Sequence, residues 1–177
     1  MPTTVLEMSE ATQSFAFEGL SAKPVPSILR GFSAPVVLER ETSADEKCFL
    51  LAHDTDAFNR WEASRDLGRE CLVDMITEGA DPDLAWIDAL GEVVRDDALD
   101  PAFRSMMLAL PTQAELAQLL HSRDITPDPD AIHAASEALR DAMAQRWAPV
   151  LPEIPILVLT LFSRFLPTSS YLCCALA

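Results

Sequence analysis

The chain has 177 residues, is 49% hydrophobic and 23% charged, and carries a formal net charge of −15. That apolar content suffices for a core and excludes wholesale disorder, while the length suits one ordinary domain or a small domain joined to part of another. The charge excludes nucleic acid and anionic membrane surfaces as partners, because both repel it.

The opening Met1-Pro2-Thr3-Thr4 lacks the basic and apolar regions of a signal peptide. Cys48, Cys71, Cys173 and Cys174 form no Cys-x-x-Cys pair. Reduced thiols in a cytoplasmic protein are the expectation, not a disulfide framework. Residues 5–8 and 14–17 read as two short strands, with Phe15 and Phe17 on one face of the second and Ser14 and Ala16 on the other. The Pro-punctuated run 23–39 adds two more, confined by its prolines to edges or strand starts. Four strands do not close a sandwich, which takes about seven, so this part reads either as a small sheet leaning on helices or as the tail end of a β domain whose earlier strands are absent.

Beyond Glu41 the signals become helical. Ser43-Ala44-Asp45-Glu46 is a capping box: Ser43 accepts from the third helical N–H and Glu46 reaches back to the cap. The short helix it opens carries Cys48, Phe49, Leu51 and Ala52. Asp54, Thr55 or Asp56 then caps a long amphipathic helix ending at Gly79. Its broad face holds Phe58, Trp61, Gly68, Cys71, Leu72, Met75 and Ile76. Ser64 and Gly68 keep the middle of that face narrow for a close neighbour.

Three Asp-Pro pairs follow, Asp81-Pro82, Asp100-Pro101 and Asp128-Pro129, each offering an N-cap acceptor before a Pro that needs no N–H. Thr112-Gln113-Ala114-Glu115 is a second capping box. The implied helices cover 83–96, 102–110, 113–122 and 130–147, with apolar stripes Trp86-Leu90-Val93-Val94, Leu116-Leu119-Leu120 and Ile132-Ala135-Leu139-Met143. The uneven spacing of the Asp-Pro pairs makes this an irregular α-solenoid-like stack of helical hairpins.

Residues 148–177 differ in character. Pro149, Pro152 and Pro155 break any helix, and Arg164 and Pro167 interrupt the apolar run that follows. A membrane span needs about 20 unbroken apolar residues, so this atypical tail reads as sequence foreign to the preceding domain, such as a shifted reading frame. The expected organisation is therefore 1–42, a strand-bearing segment; 43–147, a helical domain; and 148–177, the tail.

The search for chemistry assigns no catalytic, substrate-binding or metal-ligating residue. None of His53, His121 and His133 begins His-Glu-x-x-His. His133 and Glu137, four apart on one helix face, read as a surface ion pair and not as metal ligands. His121 suits the C-terminal end of a helix dipole. Asp74, Asp88, Glu92, Asp96 and Asp97 read as solvated carboxylates, and Trp61, Trp86 and Trp147 as core. No Gly-x-Ser-x-Gly elbow or phosphate-binding glycine loop occurs.

Three segments together resemble a known family. They are Pro24-Val25-Pro26-Ser27-Ile28-Leu29-Arg30-Gly31-Phe32-Ser33-Ala34-Pro35-Val36, Leu50-Leu51-Ala52-His53-Asp54, and Asp56-Ala57-Phe58-Asn59-Arg60-Trp61-Glu62-Ala63. In this order and separation they resemble the C-terminal part of the bacterial aminopeptidase N family, zinc-dependent gluzincin metallo-aminopeptidases. The likeness is strongest up to Gly79 and fades by Trp147. It implies a mixed, mainly α fold: the last strands of an immunoglobulin-like β-sandwich, then the first helices of a closing helical domain. It also implies a parent hydrolase that processes peptides by removing N-terminal amino acids with zinc. No position here matches that family's zinc ligands or catalytic groups, so the chain is expected to be inactive alone and to hold no cofactor. Its expected partner is the missing catalytic domain of the same polypeptide, whose chamber it would help enclose over a peptide substrate. The alternative is a free-standing helical-repeat adaptor that binds a peptide or protein; a tail-anchored protein using 154–177 is a third reading.

Overall fold

The computed structural model describes residues 3–36 and 38–149; the apolar tail, and with it the tail-anchor reading, lies outside the described residues. Six helices follow one another: α1 (Ala44–His53), α2 (Ala57–Thr77), α3 (Leu84–Arg95), α4 (Pro101–Met107), α5 (Gln113–Ser122) and α6 (Pro129–Trp147). None of the described helices is long and apolar enough to cross a membrane.

The helix starts follow from short acceptor side chains. Asp56 accepts from the N–H groups of Phe58 and Asn59 to open α2, Asp100 does the same for Ala102 and Phe103 in α4, and Asp128 accepts from Asp130 in α6. Thr112 and Glu115 complete the expected reciprocal box at α5. Two starts differ from expectation. Asp83, not Asp81, caps α3, accepting from Ala85 and Trp86. That choice brings Trp86, Leu90, Val93 and Val94 together onto the buried face. At α1 only half of the box forms: Ser43 accepts from Glu46, but the Glu46 carboxylate turns away to Lys23 and Arg40, both at 3.3 Å. Gly79 sits just past α2 at φ 65, the left-handed conformation that ends a helix at low cost in glycine.

The core lies around α2, which touches every other helix. Helix α6 returns onto α2, α3 and α5, so the stack is irregular and closed. The buried face of α2 is Ala63, Ser64, Leu67, Gly68, Cys71, Leu72 and Val73. Phe58 and Trp61, expected on that face, sit at its outer margin, because they turn towards the N-terminal segment. The narrow middle at Ser64 and Gly68 receives not a helix backbone but the indole of Trp86, 2% exposed, whose Nε1 donates to Ser64 Oγ at 3.3 Å. Trp147 closes the far end, donating from Nε1 to the Ile87 carbonyl at 3.2 Å.

The four strands expected before Glu41 are not paired among the described residues, which hold no β-ladder. Alternating side chains make a strand only when a neighbouring strand takes up its backbone N–H and C=O groups. Here residues 24–32 lie along the α1–α2 corner instead, with a single turn of 3-10 helix at Arg30–Phe32.

Candidate functional site

The most heavily connected polar cluster is the junction where residues 23–40, the strap, meet the start of α2. Two residues of the α1–α2 turn and one of the strap set it up. Asp54 closes α1, its N–H bonded to the Leu50 carbonyl. Its Oδ1 accepts from the Asp56 N–H at 2.9 Å and from Arg30 Nη1 at 2.5 Å. Arg30 also reaches Thr55 Oγ1 through Nη2 at 2.5 Å and Ser27 Oγ through Nη1 at 3.1 Å. Asp56 uses one oxygen as the α2 cap and the other to accept from the Gly31 N–H at 2.9 Å. Asn59 Nδ2 donates back to Ser27 Oγ and to the Ile28 carbonyl, at 2.9 and 3.0 Å.

Asp54 is 6% exposed, and its second oxygen is buried without a hydrogen-bond partner. Burial pushes its carboxyl up, but the adjacent Ser27 hydroxyl, the Asp56 amide and the Arg30 guanidinium outweigh that and hold it below the ordinary aspartate value. The carboxylate is thus kept charged by the strap. An apolar seam runs beside it. Phe32 packs at a tilt against Phe58 with centroids 4.5 Å apart, Phe58 meets Trp61 at 5.7 Å, and the Arg65 guanidinium lies over Trp61 at 5.3 Å. Arg65 then pairs with Glu115 in the α5 capping box.

The side chains singled out as candidates for chemistry lie apart from this cluster and from one another. His53 stacks on Phe49. His121 is in the last turn of α5, at the favourable end of the dipole. The expected His133–Glu137 ion pair does not form. Glu137 pairs with Arg140, and His133 Nδ1 faces Gln113 Nε2 at 3.4 Å, because the guanidinium one turn further on reaches the carboxylate with a full charge. Asp88 takes a two-pronged contact from Arg146, and Glu92 pairs with Arg95. Asp97 pairs with Arg104, itself only 3% exposed and also bonded to the Val94 carbonyl. Arg60 turns inward to the Leu51 carbonyl. Cys71 is buried, which pushes its thiol up, so it packs as an inert side chain and accepts from the Asp83 N–H at 3.4 Å. Among the described residues no three His, Cys, Asp or Glu side chains gather into a metal-holding group. The donor set for zinc is therefore not offered by the described residues.

The junction itself escaped residue-by-residue reading. Its one local signal is a lone arginine in an apolar Pro-rich run, followed two dozen residues later by the Asp-Thr-Asp ahead of α2.

Known proteins match over the same two parts. Residues 1–41 match a family described as a domain of unknown function with an Ig-like fold, and residues 44–155 match its companion described as ARM repeats. The second match runs past Trp147, where the likeness in sequence pattern stops, into the first residues of the tail. Aminopeptidase N of Caulobacter vibrioides is 36% identical over 144 residues, covering 80% of this chain and 16% of that protein. Aminopeptidase N of Escherichia coli is 35% identical over 150 residues, covering 82% and 17%. Among solved structures, Legionella pneumophila aminopeptidase A in complex with aspartic acid matches with a TM-score of 0.61 at 25% identity, over 75% of this chain and 15% of that one. The chain spans about a sixth of the length of the curated relatives it matches. With an Ig-like segment leading into ARM-repeat helices and aminopeptidases as its relatives, this chain belongs to the DUF3458_C family and corresponds to a C-terminal segment of the bacterial aminopeptidases N.

Proposed function

We propose that this chain is a non-catalytic part of a zinc aminopeptidase that removes N-terminal amino acids from peptides, and that it packs against the catalytic domain and helps enclose its chamber. The observation that carries the reading is where its apolar surface lies. Val5, Leu6, Met8, Phe15, Phe17, Leu20, Ile28, Phe32, Val36 and Leu38 are all exposed, and all precede the first α-helix. The helical part, by contrast, buries its stripes in one core, and of its large apolar side chains Phe49, Phe58, Leu84 and Met106 are the exposed ones among the described residues. An immunoglobulin-like sandwich of about seven strands would cover such side chains between two sheets, so the partner expected for residues 1–42 is the rest of that sandwich, continuous with the catalytic domain. A free-standing adaptor is favoured by one feature only, the self-contained helical core.

The two readings separate in one experiment. The purified chain is mixed or co-expressed with the preceding part of a related aminopeptidase N, and hydrolysis of amino-acid anilides is followed with and without added zinc. Stable association, with turnover only in the complex, is the expected result. Turnover by the chain alone would overturn its non-catalytic role, and failure to associate would favour the adaptor.

A further inference from the structure

We propose that residues 27–32 are a spring-loaded latch between the N-terminal segment and the helical domain, with Arg30 as the bolt and the left-handed backbone at Leu29 and Phe32 as the spring. Three residues in this stretch have positive φ: Leu29 at 57°, Gly31 at 61° and Phe32 at 56°. Glycine adopts that conformation freely, but leucine and phenylalanine meet a clash between Cβ and the backbone. The closed strap therefore holds two unfavourable residues within one turn. What keeps it closed is the set of bonds to the α1–α2 corner: Arg30 to Asp54 and Thr55, the Gly31 N–H to Asp56, and Asn59 to Ser27 and Ile28.

The bolt is unlike the other contacts. Asp54 is buried, and Arg30 is the cation against it. Losing Arg30 would leave a buried carboxylate with no cation facing it, which costs more than losing an exposed pair. Of the flanking contacts to Glu46, the one from Lys23 sits at the surface, where such pairs contribute little, and the one from Arg40 is partly buried at 3.3 Å. The outer part of the strap is bare: Phe32 is 71% exposed. Strain pushes this segment open while the Arg30–Asp54 pair, backed by the Gly31 N–H on the Asp56 carboxylate and the Asn59 amide bonds, holds it shut. It therefore opens as a unit, giving two discrete settings of the N-terminal segment relative to α1 and α2. This inference stands whether or not the chain belongs to an active aminopeptidase.

Hydrogen–deuterium exchange on the full chain tests it, because amide exchange follows the population of the open form. Arg30→Met should raise exchange at the Gly31 and Phe32 amides, the two of this stretch that donate hydrogen bonds, by about tenfold or more, as expected for losing a charge-assisted bond, while peptides from α2 and α3 keep their protection. Leu29→Gly, which relaxes the spring, should slow exchange at the same amides. Thr55→Val removes one acceptor of Arg30 at an exposed position and should give an intermediate increase without any threat to folding. Unchanged exchange in Arg30→Met or Thr55→Val would overturn the latch. So would Leu29→Gly loosening the strap as much as Arg30→Met, or Arg30→Met loosening the helical core together with the strap.

Discussion

Gly91→Ala poses two opposed effects on one helix. In the middle of α3, alanine gains about 1 kcal/mol over glycine in backbone entropy and propensity. A Cβ built at Gly91, however, would lie 2.9 Å from Nε1 and 3.3 Å from Cδ1 of Trp147, closer than carbon atoms approach without displacement. The indole cannot simply move aside. It is buried, and its N–H is bonded to the Ile87 carbonyl one turn earlier on the same helix. Overpacking costs about 1–3 kcal/mol, and a strained or broken buried hydrogen bond adds about 1–3 kcal/mol. Set against the propensity gain, the net loss is about 3 kcal/mol. For a chain of this size that lowers the thermal midpoint by about 6–12 °C and shifts the urea midpoint down with little change in slope. Gly68→Ala is the internal comparison. Its Cβ would meet the edge of the Trp86 ring at 3.1 and 3.2 Å, a milder contact, so its loss should be the smaller of the two. A Gly91→Ala variant as stable as the parent, or less affected than Gly68→Ala, would refute the claim that Trp147 is locked in place.

Asp83→Ala should cost about 1 kcal/mol in urea unfolding as the α3 cap is lost, whereas Asp81→Ala, one Asp-Pro pair earlier, should change nothing measurable. Glu115 is held down to about 2, first by the Thr112 N–H, then by the Thr112 hydroxyl and Arg65, against the opposing pull of partial burial. A lowered carboxyl contributes stability that is complete above its unfolded value near 4.5 and is lost as pH falls towards 2. Glu115→Gln should therefore lose stability at pH 7 and match the parent near pH 2. Because this side chain is 41% exposed, screening reduces the difference to about 1 kcal/mol; a constant offset at all pH values would show that packing, not charge, is responsible. Trp86→Ala should cost about 3–5 kcal/mol, measured by the same unfolding curves, with Ser64→Ala costing far less.

The helices were legible because their signals are local. An acceptor side chain and an apolar stripe each act within one or two turns, so the starts at Asp56, Asp100, Thr112 and Asp128 and the stripes of α3, α5 and α6 are visible in the sequence. Asp83 was missed because two acceptors stand two residues apart, and only the register of Trp86 against α2 decides between them. Glu46 was half missed for the same kind of reason. Its choice of Lys23 and Arg40 over its own cap depends on cations brought in from another segment. The strands before Glu41 show the limit most plainly. Alternation of apolar side chains describes one edge of a pairing, and the partner that completes it is not written in the same residues.

The same distinction explains why two motifs mark this family where either alone says little. Ser27, Arg30 and Gly31 have no local reason to occur together, and neither have Asp54, Thr55, Asp56 and Asn59 beyond the cap supplied by Asp56. Across the junction each group satisfies the other: the guanidinium finds a buried carboxylate, the second oxygen of the cap finds a backbone N–H, and the Asn59 amide finds a carbonyl and a hydroxyl. Exchanging one side alone would strand a buried charge with no partner, a cost of several kcal/mol. A pairing with that penalty ties the two sequences together at a fixed separation. The joint between the N-terminal segment and the helices depends on these residues, whereas the purely aliphatic positions of the core behind it tolerate swaps that conserve volume.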